Sequence, residues 1–247
     1  MKRLIAFIAL AAITALPAFS QSRVLRPLGF ASDFQTLPVV ANVTGIGNAQ
    51  FLSYVALLNP TSSTFPVEVT LYDANGNSQE ATISLGAGEL KTYTNFLQTV
   101  FNYTGGGAAT FSSPDPSNRF ILNSEVRTGA NGAYTTPVPP LEFAGSNSRS
   151  FSPGIIVDSN WRTNIGCFNQ SDAANPVTAT ILDKNGMTVG TVNMNLAARA
   201  WRQAPVNSMI TDGVVRFEPA EAAVCYAVVV SNSTNDGRFV SATEYTP

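Results

Sequence analysis

The sequence predicts an all-β protein made of two tandem β-sandwich domains related by internal duplication. Three observations predict it: two segments run in parallel at an offset of 110 residues, apolar positions recur within them at period two, and each ends in an Asp-x-Asn-Gly turn. Residues 51–76 read FLSYVALLNPTSSTFPVEVTLYDANG and residues 161–186 read WRTNIGCFNQSDAANPVTATILDKNG. An aromatic residue opens each, an Asn closes the first apolar run (Asn59, Asn169), and Pro-Val opens the second (Pro66-Val67, Pro176-Val177).

The chain begins with Lys2 and Arg3, an apolar stretch from Leu4 to about Leu16, and Pro17-Ala-Phe-Ser20. A short basic region, an apolar core too short to anchor in a bilayer, and small residues at Ala18 and Ser20 predict a secretory signal peptide over residues 1–20. No Cys follows the expected cleavage point, which argues against a lipid-modified N-terminus, and no later apolar run approaches the roughly 20 residues of a membrane-spanning helix. The mature chain is expected to be soluble and exported, in the periplasm, at the cell surface or outside the cell.

With Lys2 and Arg3 removed, 12 basic residues face 16 acidic ones, a net charge near −4. No basic cluster could neutralise several phosphates, so nucleic acid is not an expected partner. Only 12% of residues are charged, and a neutral surface rich in Ser, Thr, Asn and Gly suits an exported β-protein. A mature length of about 227 residues accommodates two small domains.

Residues 21–37 carry no clear pattern and read as an N-terminal arm, either a leading strand or an ordered extension. The first sandwich is expected over residues 38–142, with a strand at 38–43 and a Gly-rich connection at 45–48. In the next run Phe51, Ser53, Val55 and Leu57 share one face, and Leu52, Tyr54, Ala56 and Leu58 the other. The second copy puts Trp161, Thr163, Ile165 and Cys167 on the matching first face, and then sets Val177, Ala179 and Ile181 against Val67, Val69 and Leu71. The turns Asp73-Ala-Asn75-Gly76 and Asp183-Lys-Asn185-Gly186 suit tight hairpins because Asn and Gly tolerate positive φ, and all six named residues are assigned structural duties. Third strands are expected at about 79–85 and 188–196, and residues 89–101 read as strand plus a short turn of helix. Further on, 107–111 matches 213–217, and 120–132 matches 225–237. Residues 135–140, Thr-Thr-Pro-Val-Pro-Pro, read as an extended linker, and the second sandwich is expected over 143–247. Each copy then holds roughly seven short strands.

Cys167 and Cys225 are the two cysteines, both in the second copy and both inward-facing by strand alternation; Leu57 and Phe120 are their counterparts in the first. In an exported protein such a pair is most simply a disulfide, closing a loop of roughly 58 residues and contributing about 2–4 kcal/mol. Two separate buried thiols are the alternative. Redox catalysis would need an activated, accessible thiolate, which nothing nearby supplies.

The chain contains no histidine. That removes Ser-His-Asp and Cys-His machinery and the usual ligand sets of catalytic zinc. No Gly-x-Ser-x-Gly elbow or phosphate-cradling loop is present, and Asp73-Ala-Asn-Gly-Asn77 places its Gly too early for a calcium loop. Neither a cofactor nor a metal is expected, and the protein is not expected to be an enzyme, although residue types leave room for a hydrolase using two carboxylates alone. Glu125 and Arg127 read as a solvated surface pair. Tyr93, Tyr103 and Trp201 are the candidate ligand-contact aromatics, set against core packing for Trp201, whose counterpart is Leu90, and cross-strand packing for the tyrosines. Asn-x-Ser/Thr sites begin at Asn42, Asn102, Asn169 and Asn232.

An apolar strand ending near an Asn, a Pro-Val strand and an Asp-x-Asn-Gly hairpin together resemble the tandem immunoglobulin-like or fibronectin-like β-sandwich repeats of secreted bacterial surface proteins, over most of residues 38–245. The chain departs from antibody-type domains: no Trp follows Cys167 on a next strand, and no Tyr stands two residues before Cys225. The resemblance implies a noncatalytic role in surface binding, adhesion or scaffolding, with a protein or glycan partner at the cell surface. A carbohydrate-binding module is the second expectation. Any function that differs between the copies is expected where their alignment fails, at 86–106 against 197–212 and in the loop 45–50.

Overall fold

The computed structural model describes residues 31–129, 132–141 and 145–245. The expected signal peptide and the arm up to residue 30 lie outside the described residues. Nearly every element is an antiparallel strand. The N-terminal half contains β1 (Phe34–Thr44), β2 (Gln50–Leu58), β3 (Phe65–Tyr72), β4 (Ser78–Leu85), β5 (Leu90–Tyr93), α1 (Phe96–Phe101), β6 (Gly105–Ser112), β7 (Ile121–Thr128) and β8 (Tyr134–Pro137). The C-terminal half contains β9 (Ser150–Val157), β10 (Trp161–Asn169), β11 (Asn175–Leu182), β12 (Thr188–Leu196), β13 (Trp201–Pro205), β14 (Ile210–Pro219), β15 (Ala223–Ser231), β16 (Gly237–Ser241) and β17 (Thr243–Glu244).

The two halves share a strand order. In the first, β4-β3-β6-β1 forms one layer and β5-β2-β7-β8 the other, joined at the corner where β1 pairs with the start of β2. In the second, β12-β11-β14-β9 and β13-β10-β15-β16 repeat that order as separate sheets, with the short β17 added beside β9. Ladders among the described residues stay within each half.

Period-two alternation explains each core. Val67, Val69 and Leu71 are buried with Val55, Leu57 and Phe111 in one cluster; Val177, Ala179 and Ile181 are buried with Ile165, Cys167 and Phe217 in another. The repeated Asn59 and Asn169 are fully buried. Asn59 Nδ2 donates to the carbonyls of Ser63 (2.7 Å) and Gly86 (2.8 Å), and Asn169 Nδ2 to those of Ala173 (2.8 Å) and Ala197 (2.7 Å). Each Asn thus ties two loops to its strand end, satisfying carbonyls that would otherwise be buried unpaired. With Asn169 sealed in this way and Asn42 also buried, neither side chain is open to a glycan.

Both Asp-x-Asn-Gly turns close hairpins. Asp73 Oδ1 accepts the N–H groups of Asn75 (2.8 Å) and Asn77 (2.9 Å), and Asp183 Oδ1 those of Asn185 (2.9 Å) and Met187 (2.8 Å). Positive φ falls on Gly76 (85°) and Gly186 (80°), not on the Asn before them. The Asn residues occupy ordinary turn positions.

Several expectations are corrected. β1 starts at Phe34, so residues 34–37 of the expected arm belong to a strand. Residues 135–137 of the expected linker lie in β8, pairing with β7; Pro137 is tolerated there because β8 is an edge strand whose outer side needs no donor. The expected match of Cys225 with Phe120 slips by two residues: Leu57 pairs with Leu122 where Cys167 pairs with Cys225. The expected disulfide between Cys167 and Cys225 is present, closing a separation of 58 residues between adjacent strands of one sheet. Residues 89–101 do form a strand and a six-residue helix, capped by the Asn95 side chain.

Candidate functional site

Because Ile165, Cys167 and Cys225 point into the second core, alternation turns Gly166, Phe168, Val224, Tyr226 and Val230 to the outer side of sheet β13-β10-β15-β16. The N-terminal half packs on that side. Tyr226 is wholly buried, clustered with Val39 and Val138 of the first half, and its ring stacks on Phe239 at 5.0 Å between centroids. The Tyr226 hydroxyl accepts from Trp201 Nε1 (3.1 Å) and donates to Gln203 Oε1 (3.1 Å). Burial drives its pKa far above that of an ordinary phenol, outweighing the opposing Trp201 hydrogen bond, so it stays a neutral donor. Phe168 meets Tyr72 of the first half at 5.1 Å.

Glycines permit this approach. Gly166 lies under the Tyr226 ring, where any Cβ would strike it, and a Cβ on Gly106 would come within 2.8 Å of the Trp201 indole. The first half's hairpin reaches across as well: the Asp73 carbonyl accepts the Trp201 backbone N–H at 3.0 Å, and Gly76 faces the Ala198 carbonyl. Around Asp73, desolvation raises the carboxyl pKa, but hydrogen bonds from the Asn77 side chain and from the backbone of Asn75, Asn77 and Gly76 outweigh it and hold it below the ordinary value.

Beside this contact the halves leave a groove of about 630 Å³, within the range of small-molecule sites. The first half contributes Val39, Val43, Ile46, Phe51, Gly106 and Val126; the second contributes Trp201, Pro205, Val206, Val230 and Phe239. Among the described residues the polar lining groups are few: Thr136, Thr163, Asn164, Gln203, Asn207 and Arg162, the last being the single charged one. Ile46, on the 3-10 turn Ile46–Asn48 at the rim, is 70% exposed. A second concavity of about 620 Å³ lies beside Pro137, Pro139 and Pro140.

Of the three candidate aromatics, Trp201 lines the groove, half-buried. Tyr93 packs edge-on to Phe96 (5.8 Å) at the margin of the first core, and the Tyr103 ring lies over Gly105. Gly105 and Gly106 are consecutive on β6, so the Tyr103 and Trp201 rings flank opposite faces of that strand. The three rings do not form one platform. The structural turn residues, Asp73 to Gly76 and Asp183 to Gly186, lie outside the groove lining, although Asp73 touches Trp201. Gly45, Ile46, Gly106, Gln203, Pro205 and Asn207 come from the segments where the sequences of the two halves fail to align.

Arg162, Val39 and Phe239 were not legible as site residues. One signal was available for Arg162: it stands where the first half has Leu52, an apolar-to-charged change. Carboxylates cluster elsewhere. Glu125 pairs with Arg127 (2.6 Å), which lies over the Tyr54 ring (3.7 Å), and Glu218 bridges Arg149 (3.0 Å) and Arg216 (3.2 Å). Among the described residues no three potential metal ligands come together, and no helix is long and apolar enough to cross a membrane.

No family model matches this sequence, and no curated protein matches it. Solved structures similar to parts of it include two Bacteroides uniformis β-glucuronidase chains, one covalently bound to cyclophellitol-6-carboxylate aziridine. Identity is 12% and the TM-scores are 0.18 and 0.17; each alignment covers 80% of this chain and 26% of the glucuronidase chain. This chain therefore spans about a quarter of their length, and a likeness of that size carries no argument about activity.

Proposed function

We propose that this is an exported, noncatalytic binding protein whose ligand site is the groove between its two halves. One observation carries the reading: the largely apolar groove of about 630 Å³ is walled by both halves, with Trp201 at their contact. Export is supported by the N-terminal basic and apolar pattern together with a disulfide, a bond that persists in oxidising compartments. An adhesive or scaffolding role would use the same surface with a protein segment as ligand.

The mature protein titrated with diphenylhexatriene, a neutral apolar dye that fluoresces when bound, is expected to take up about one dye per chain. Val43→Trp, which fills the groove from a half-buried β1 position, is expected to abolish uptake while leaving the circular dichroism spectrum unchanged. Unaltered uptake in that variant contradicts the reading. Displacement of the dye by soluble oligosaccharides but not by alkanols would favour the carbohydrate-binding alternative.

A further inference from the structure

We infer that the groove selects an amphiphile with an anionic head, held by Arg162; this rests on the binding reading above. Among the described residues Arg162 is the sole charged one in the lining. Its guanidinium donates from Nη1 to the Ser231 carbonyl (3.1 Å) and Asn232 Oδ1 (3.2 Å), and from Nη2 to Asn235 Oδ1 (2.7 Å). All three acceptors are neutral. Among the described residues no carboxylate lies within ion-pair distance of it, unlike Arg127, Arg149, Arg199 and Arg216.

Arginine carries five N–H donors, and three are engaged. The Nε–H and one Nη2–H have no acceptor among the described residues. Burial lowers the Arg162 pKa, and among the described residues no neighbouring negative charge acts against that shift. Arg162 therefore brings to the groove lining a partly desolvated positive charge, held by neutral acceptors and carrying two donors that no described residue accepts. A carboxylate or sulfate head satisfies the donors and the charge together, while an alkyl tail covers the Val43, Phe51, Val206 and Val230 walls. A neutral head leaves the charge uncompensated, and a cationic head meets it with repulsion. In the first half the matching position is Leu52, so the charge belongs to the groove and not to the shared strand pattern.

Three ligands of equal chain length, dodecanoate, dodecan-1-ol and dodecyltrimethylammonium, separate the possibilities when each displaces diphenylhexatriene from the mature protein at pH 7. Dodecanoate is expected to bind at least 10-fold tighter than the other two. In Arg162→Gln the preference for dodecanoate over dodecan-1-ol should fall below 3-fold, with dodecan-1-ol affinity unchanged. Equal binding of all three by the unaltered protein overturns the anionic preference while leaving the groove as a binding site. Persistence of the preference in a folded Arg162→Gln variant overturns the role of Arg162. Failure of all three to displace bound dye overturns the binding reading itself. The headgroup series on the unaltered protein decides the charge preference even if the variant does not fold.

Discussion

The outer face of β5-β2-β7-β8 in the first half and that of β13-β10-β15-β16 in the second occupy the same place in the same strand order, yet only the second is covered by the other half. Along β2 and β10, Leu52, Tyr54, Ala56 and Leu58 stand against Arg162, Asn164, Gly166 and Phe168, so the open face is there the more apolar of the two. The neighbouring strand reverses the order: Asn123, Glu125 and Arg127 on β7 face Tyr226, Val228 and Val230 on β15. Charges on a central strand keep a face wet because burying them without partners is costly. The Val and Tyr residues of β15, with Gly166 letting the Tyr226 ring lie flat, make the corresponding face dockable. At the edge, Leu90 is 59% exposed while Trp201, in the same register, is folded into the junction. Docking is therefore decided by a few central positions and one glycine, and not by mean hydropathy.

The largest expected effect sets Trp201→Ala against Leu90→Ala. The first removes a half-buried indole with its hydrogen bond and should destabilise by about 3 kcal/mol, whereas the second should stay within about 0.5 kcal/mol; urea denaturation of both variants measures the difference. Comparable losses would mean that the Leu90 face is also covered. Next, Cys167→Ala with Cys225→Ala is expected to cost about 2–4 kcal/mol by freeing the 58-residue loop, with the disulfide-free first half less affected in hydrogen exchange. Gly166→Ala should cost about 1–3 kcal/mol by pushing on the buried Tyr226 ring, while Ala56→Gly at the matching open site should cost about 0.5–1 kcal/mol through backbone entropy alone. A smaller effect concerns pH. The Asp73 and Asp183 carboxyls have pKa values held below 3.8, so their hairpins are stabilised above that pH and lose the contribution as pH falls through the lowered values. Amide exchange in both hairpins should quicken, relative to the sheets, only in that acid range.

Much of the fold was legible because its signals are local. Period two marked the strand faces, and Asp-x-Asn-Gly marked two hairpins. The paired cysteines marked a contact that the structure contains, although the residue matching Cys225 in the first half was misread by two positions, since Phe120 and Leu122 lie on the same face of the chain and either suits a core. β8 was hidden because Pro137 at its end, with Pro139 and Pro140 after it, resembles a linker when nothing shows that the strand lies at an edge. The groove was hidden for a different reason: Val39, Arg162 and Phe239 are far apart in sequence and meet only through the packing of one half on the other. Sequence comparison of the two halves could mark where they differ, at Gly45, Gly106 and Trp201, but not that these places converge.

The central claim is that ligand sits in the groove at the junction of the halves, against Trp201. Replacing Trp161 with Phe leaves Trp201 as the lone tryptophan of the chain, and 12-bromododecan-1-ol, whose bromine quenches indole only near contact, then reports where an apolar ligand lies. The account predicts saturable quenching of Trp201 at one ligand per chain. Binding of the bromoalkanol that leaves Trp201 emission unchanged would contradict it.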